Sequence, residues 1–247
     1  MNTTLQNGGI DKLPVVELAT TLHEFMGPVL ECLSEKRLRE VGELAVRGII
    51  GGQSPLVTQM ARGVAREGAT IWPTAMRLYR FMWNERFSHR DLLKGLYGIA
   101  QRAVAESAPT HLVVALDAVN FEKPYTGKLE GVSTVMKSTP PGEYGRKRLT
   151  PGYPAMTATV VNLPEPAVTY ANWFSYVSEE FVSENREIYR ATWTTRALFP
   201  RAKLRFVADA GLDDRKIFTW IDSVDAEFII RACHDRSVEV YNERLDR

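Results

Sequence analysis

Residues 112–122 read Leu-Val-Val-Ala-Leu-Asp117-Ala-Val-Asn-Phe-Glu122, an apolar run that ends abruptly on an acid. The run is too short for a helix and rich in strand formers. It predicts a buried strand with Asp117 at its carboxyl end. In open α/β sheets, sites lie outside the carboxyl ends of strands. The same design recurs at 204–213, Leu-Arg-Phe-Val-Ala-Asp209-Ala-Gly-Leu-Asp213. If these two strands are neighbours, the carboxylates of Asp117 and Asp209 meet. Oxygen ligands so arranged suit a hard divalent cation. Glu122 is expected to face solvent, and Asp213 and Asp214 to cap a helix.

Bulk composition sets the class. The chain has 247 residues, 45% hydrophobic and 25% charged, as in an ordinary globular protein with a substantial core. The net charge of +1 demands no polyanionic partner, so any nucleic-acid contact must come from local clusters. Cys32 and Cys233 are the only cysteines, which excludes a zinc framework of CxxC type and fits a reducing compartment. The opening Met-Asn-Thr-Thr-Leu-Gln is no secretory signal, and no apolar run reaches membrane-spanning length. A cytoplasmic chain with no membrane partner is expected.

Residues 1–108 read as helical. Leu38, Val41, Leu44 and Ala45 recur at helical spacing, with Ser34 as a candidate cap. Gly48, Gly51, Gly52 and Pro55 are expected to break this helix. A second helical pattern runs from 56 to 66. Pro73 suits the first turn of the next helix, which carries Arg77 and Arg80. Ser88 caps another, with Leu92, Leu96, Ile99 and Ala103 on its apolar face. Such short helices interleaved with basic residues suit a DNA-binding module, and equally a plain bundle. Phe81, Trp83 and Trp193 are read as core.

Residues 109–247 change character. Gly, Pro and basic residues dominate 123–155, including Arg146-Lys147-Arg148, and predict a long loop or loose hairpin. Strands are expected at 155–161 and 167–173, a helix at 178–198, the strand leading to Asp209, a further helix, and a last buried strand at Phe228-Ile229-Ile230.

This order resembles a ribonuclease-H-like core. Residues reinforce it: Arg77-Leu-Tyr-Arg80-Phe-Met-Trp-Asn84, the strand ending at Asp117, Asp209-Ala-Gly-Leu-Asp213-Asp214, and Phe228-Ile-Ile-Arg231-Ala-Cys-His234-Asp-Arg236. Together they resemble the insertion-sequence transposases with a DDE carboxylate triad and a YREK signature, over roughly residues 35–240. The resemblance implies an α/β fold, a ribonuclease-H-like mixed sheet with helices, preceded by an all-α N-terminal DNA-binding domain. It implies a metal-dependent enzyme that cuts and joins DNA, with Asp117 and Asp209 as catalytic residues and ligands of Mg²⁺ or Mn²⁺. It also implies DNA contacts by Arg77, Arg80, Arg231, His234 and Arg236. The implied partners are double-stranded DNA (terminal repeats and target) and a second copy, in a synaptic homodimer.

The departure is the third acid. Tyr241 and Arg244 have the first spacing of the signature, but its Glu would fall beyond Arg247. The expectation is a fragmentary, incomplete core. The alternatives are therefore an inactive DNA-binding or inhibitory product of the same lineage, and another ribonuclease-H-like nuclease.

Overall fold

The computed structural model describes residues 15–65, 68–124, 128–137 and 149–237. The Arg146-Lys147-Arg148 run, Tyr241 and Arg244 lie outside them. The chain divides into two compact units between Ile99 and Ala100. The division falls within a helix, nine residues before the expected boundary at 108, because Ala100, Ala103 and Val104 pack into the core of the second unit.

The first unit is helical: α1 (Val15–Leu30), α2 (Lys36–Gly52), α3 (Val57–Val64), α4 (Trp72–Met82) and the start of α5 (His89–Ser107). Its core gathers Leu30, Leu33, Leu38, Met60, Leu78 and Phe81. No separate pattern was singled out for α1, which carries Gly27 and Pro28 within it. The glycines of α2 do not break it either. The helix runs through Gly48 and Gly51 to Gly52 and ends where Gln53 adopts a left-handed φ of 48°. These glycines instead let α3 lie against α2: a Cβ at Gly63 would stand 2.2 Å from the Gly52 amide nitrogen, and one at Gly51 2.5 Å from the Gly63 carbonyl oxygen. Pro73 sits in the first turn of α4, and the Ser88 hydroxyl accepts from the Arg90 amide at 3.3 Å to start α5.

The second unit is a mixed sheet: β1 (Leu112–Glu122), β2 (Ser133–Met136), β3 (Leu149–Val160), β4 (Ala167–Trp173), β5 (Leu204–Ala208) and β6 (Glu227–Ile230). The order is β2-β3-β1-β5-β6, with β4 also paired to β3. β3 is antiparallel to β1, β2 and β4, while β1, β5 and β6 are mutually parallel. Helices α6 (Glu184–Leu198) and α7 (Arg215–Ser223) make the connections to β5 and β6. This is the ribonuclease-H-like mixed sheet. Leu112, Val114 and Leu116 of β1 and Leu204 and Phe206 of β5 form the centre of its core.

Four expectations are corrected. The strand expected at 155–161 begins at Leu149, so the stretch 123–155 holds β2 and residues 149–155 of β3, the two arms of the hairpin that was one of its two readings. The helix expected at 178–198 begins at Glu184, where the Ser183 hydroxyl caps it by accepting from the Arg186 amide at 3.1 Å. β6 is an edge strand with Ile229 59% exposed, not a buried one. Trp83 and Trp193 are 78% and 55% exposed, so neither is core, whereas Phe81 is buried. Among the described residues no helix is long and apolar enough to cross a membrane.

Candidate functional site: two aspartates at the β1–β5 junction

The parallel register pairs Leu112 with Leu204, Val113 with Arg205, Val114 with Phe206 and Ala115 with Val207. Two residues further along each chain stand Asp117 and Asp209, level with one another. Neighbouring strands lie about 4.8 Å apart, so this brings the two backbones close. Pleat alternation puts Asp117 in line with Val113 and Ala115, and Asp209 in line with Arg205 and Val207, on one side of the sheet. Both acids are exposed and line one cavity of about 400 Å³.

The strand-end expectation holds for Asp209 but not for Asp117. β1 continues to Glu122, held by antiparallel pairing with β3 as far as Gly152. Asp117 is therefore in mid-strand, opposite Thr157, whose hydroxyl donates to the Asp117 carbonyl oxygen at 3.3 Å. The site arises where the shorter β5 stops. There Asp209 turns the chain: its Oδ1 accepts from the Gly211 amide at 2.9 Å, starting a single 3₁₀ turn over Ala210–Leu212. One carboxylate oxygen is thereby oriented and the other stays available.

The cavity wall contains further acids that sequence reasoning passed over. Glu184 and Glu187 open α6 and line the same space. Glu187 is only 3% exposed, and its Oε2 accepts from Tyr170 Oη at 3.0 Å and Asn172 Nδ2 at 2.8 Å. Arg190 Nη1 completes the set at 2.6 Å from Oε1. Tyr170 and Asn172 alternate along β4, so the pair pins the first turns of α6 to that strand. The Tyr176 hydroxyl donates to Glu184, and burial, with help from that carboxylate, pushes its ionisation well above the ordinary phenol range. The one signal in the sequence was the Glu184–Glu187 spacing, which reads as plain first-turn acidity.

No Lys, Arg or His lines this cavity, and neither Asp117 nor Asp209 forms an ion pair among the described residues. Exposed, uncompensated carboxylates are the donor set a hard divalent cation takes. No three His, Cys, Asp or Glu side chains come close enough together to hold a metal ion among the described residues. The two aspartates fit Mg²⁺ or Mn²⁺ as a partial ligand set.

No family model and no curated protein matches this chain. Its similarities are to solved structures. The crystal structure of the Mos1 strand transfer complex has 15% identity and a TM-score of 0.28, covering 81% of this chain and 60% of that one. The Mos1 transposase paired-end complex with left transposon end gives 14%, 0.28, 81% and 61%, and the Mos1 mariner paired end complex with Mn gives 13%, 0.29, 79% and 60%. The chain spans about three fifths of the length of these proteins.

The other expected contacts divide. Arg231 and His234 are exposed on the segment after β6. Arg236 is engaged inside its own unit. Its Nε donates to the Asp213 carboxylate at 2.6 Å and its Nη2 to the Asp213 carbonyl oxygen at 2.8 Å, while the guanidinium lies 5.2 Å from the Phe218 ring centroid. Asp213 also accepts from the Cys233 amide at 2.7 Å. It is thus the anchor of the last described segment, and the helix cap of α7 is Asp214. The Cys233 amide bond, opposed by burial and aided by Arg236, lowers the Asp213 ionisation. Burial raises the ionisation of the Cys233 thiol, which donates to the Ala210 carbonyl oxygen at 3.2 Å. In the first unit, Arg77 and Arg80 line a separate cleft of about 330 Å³.

Proposed function

We propose that this chain acts on DNA by metal-dependent phosphoryl transfer, as a protein of transposase lineage of the DDE type. One observation carries the reading: Asp117 and Asp209 stand level on neighbouring parallel strands of a ribonuclease-H-like sheet and share a cavity that no basic side chain lines among the described residues. The Asp209-to-Asp214 block and the Phe228-to-Arg236 block support the same lineage by resemblance. Asp117 and Asp209 would hold Mg²⁺ or Mn²⁺. When bound, such an ion lowers the pKa of a water or 3′-hydroxyl and stabilises developing charge on a phosphate's oxygens.

The protein's own groups divide the remaining work. The Gly211 amide orients the Asp209 carboxylate, and β3 fixes Asp117 through antiparallel pairing on its far side. Arg231 and His234 supply donors near the end of the last strand for the phosphate backbone, which carries position rather than sequence information. Arg77 and Arg80 add a further contact from the first unit. Double-stranded element ends and target DNA are the substrates of this reading, and a homodimer joining two ends is its working assembly.

A second reading, DNA binding without cutting, is favoured by one feature. The arginine cleft of the first unit contains its own positive charge and needs no metal. The two readings separate in one assay, strand cleavage of duplex DNA carrying the cognate element ends, with Mg²⁺ or Mn²⁺ and with chelator. Metal-dependent cleavage abolished by Asp117→Asn supports the enzyme. A metal-independent band shift with no cleavage supports the binder. Cleavage indifferent to the ends supports a general nuclease, and cleavage unchanged in Asp117→Asn overturns the site.

A further inference from the structure

The helix α4 has three faces, and the fold explains only one. Ala75, Leu78 and Phe81 are buried in the core of the first unit. Arg77 and Arg80, three residues apart, form a second face and line the cleft together with Arg37 of α2, Asn84 and Arg86. The one acid in that lining, Glu35, is already paired with Arg86. Arg37, Arg77 and Arg80 are exposed and form no ion pair among the described residues. The cleft therefore keeps a surplus of positive charge in a chain whose net charge is +1.

The third face is aromatic. Trp72 and Trp83 lie three turns apart on one side of the helix, about 16 Å along its axis. They are 66% and 78% exposed. Between them lies Tyr79, packed against the core, on which Trp83 stacks with ring centroids 5.8 Å apart and planes 28° from parallel. Trp83 is thus a braced, solvent-facing ring, next to Arg80 at a spacing of three residues. A phosphate-attracting groove beside exposed flat rings is how proteins hold single-stranded nucleic acid: backbone in the groove, bases on the rings.

We propose that the outer surface of α4 binds an unpaired DNA strand, with phosphates in the Arg37–Arg77–Arg80 cleft and bases stacked on Trp83 and Trp72. The inference deepens the proposed action on DNA and rests on it in one respect only, that the polyanion is DNA. It adds a preference for ends with an unpaired strand over blunt duplex.

The test uses the full chain, a labelled oligothymidylate and a blunt duplex of mixed sequence, with fluorescence anisotropy across a salt series in chelator. The wild type should bind the oligothymidylate. Trp83→Ala should weaken that binding about tenfold, the loss of one stacked base, and leave the blunt duplex unchanged. Trp83→Phe should restore most of it. Arg77→Ala and Arg80→Ala should each weaken both ligands and lower the single-strand salt slope by about 0.7. All these side chains are exposed, and circular dichroism checks that the variants fold. No binding of oligothymidylate, or equal binding by Trp83→Ala, overturns the proposal. Asp117→Asn separates it from the cleavage reading: that variant should bind the oligothymidylate like the wild type. A chain that cleaves element ends but ignores the oligothymidylate sinks this inference alone. One that binds the strand and never cleaves sinks only the enzymatic reading.

Discussion

Gly211 is the residue on which the Asp209 carboxylate depends. A Cβ there would come within 3.0 Å of Asp209 Oδ1, and the amide that orients the carboxylate belongs to the same residue. Gly211→Ala should therefore weaken Mn²⁺ binding several-fold while shifting the melting temperature little, since the position is exposed. Titration calorimetry and a thermal melt check both halves. Asp213 gives a pH prediction. The Cys233 amide and Arg236 hold its ionisation below the ordinary aspartate value of about 3.9. Its folded pKa is depressed, so the stability it contributes is fully present above the unfolded value. That stability is lost as pH falls through the folded one. The protection of the Cys233 amide against hydrogen exchange, relative to its intrinsic rate at each pH, should hold down to about pH 4 and fall below it, and Asp213→Asn should lack it throughout. At this scale the local pattern of an apolar run ending on an acid placed Asp209 correctly at its strand end and misplaced Asp117, since β1 continues to Glu122. Gly211 and Glu187 were not legible, since their roles depend on what lies across a turn or on the neighbouring strand. Trp83 and Trp193 were misread as core because hydrophobicity alone does not say which face of a helix is turned inward.

Elements are held by two devices that make separate predictions. The first is the α2–α3 contact, where backbones meet at Gly51, Gly52 and Gly63. Gly63→Ala puts a methyl against the Gly52 amide, and no side chain can move aside. It should cost about 1–3 kcal/mol, read from a urea midpoint. Gly98→Ala, in α5 with nothing within 4 Å, should instead stabilise by about 0.5–1 kcal/mol. The second device is Arg196 near the end of α6. Its guanidinium donates to the carbonyl oxygens of Val224 at 2.7 Å, Ala202 at 2.8 Å, Asp225 at 2.6 Å and Phe199 at 3.1 Å. It thereby ties the ends of α6 and α7 to the turn that launches β5, the strand leading to Asp209. Arg196→Ala should cost on the order of 3 kcal/mol, and Arg196→Lys nearly as much, because an ammonium lacks the planar fork that reaches several carbonyls. The glycines of α2 looked like breakers because residue type carries a conformational preference and no record of a neighbouring helix. The order of strands and helices from residue 112 onward, β2 apart, was legible from periodicity, while the ribonuclease-H-like arrangement came from the resemblance that order carries. The start of β3 was hidden, because Pro151, Gly152 and Pro154 read as turn residues, whereas they lie in a strand flanked by β2 and β1.

The helical unit carries an arginine cleft and the mixed-sheet unit an acidic cavity, within a chain of net charge +1. Which strands become neighbours is decided by long-range pairing, and no local window contains it; the level placement of Asp117 and Asp209 became visible only with the β1–β5 register. The central claim is that these two carboxylates share a divalent cation. It is tested most directly by titrating the full chain with Mn²⁺ and following the paramagnetic resonance of the free ion. Wild type should remove Mn²⁺ from solution saturably and in competition with Mg²⁺. Asp117→Asn and Asp209→Asn should each abolish that uptake, while Asp222→Asn, an exposed acid remote from the cavity, should titrate like the wild type. Uptake that survives in both Asp117→Asn and Asp209→Asn, or wild type that takes up no Mn²⁺, would contradict the account.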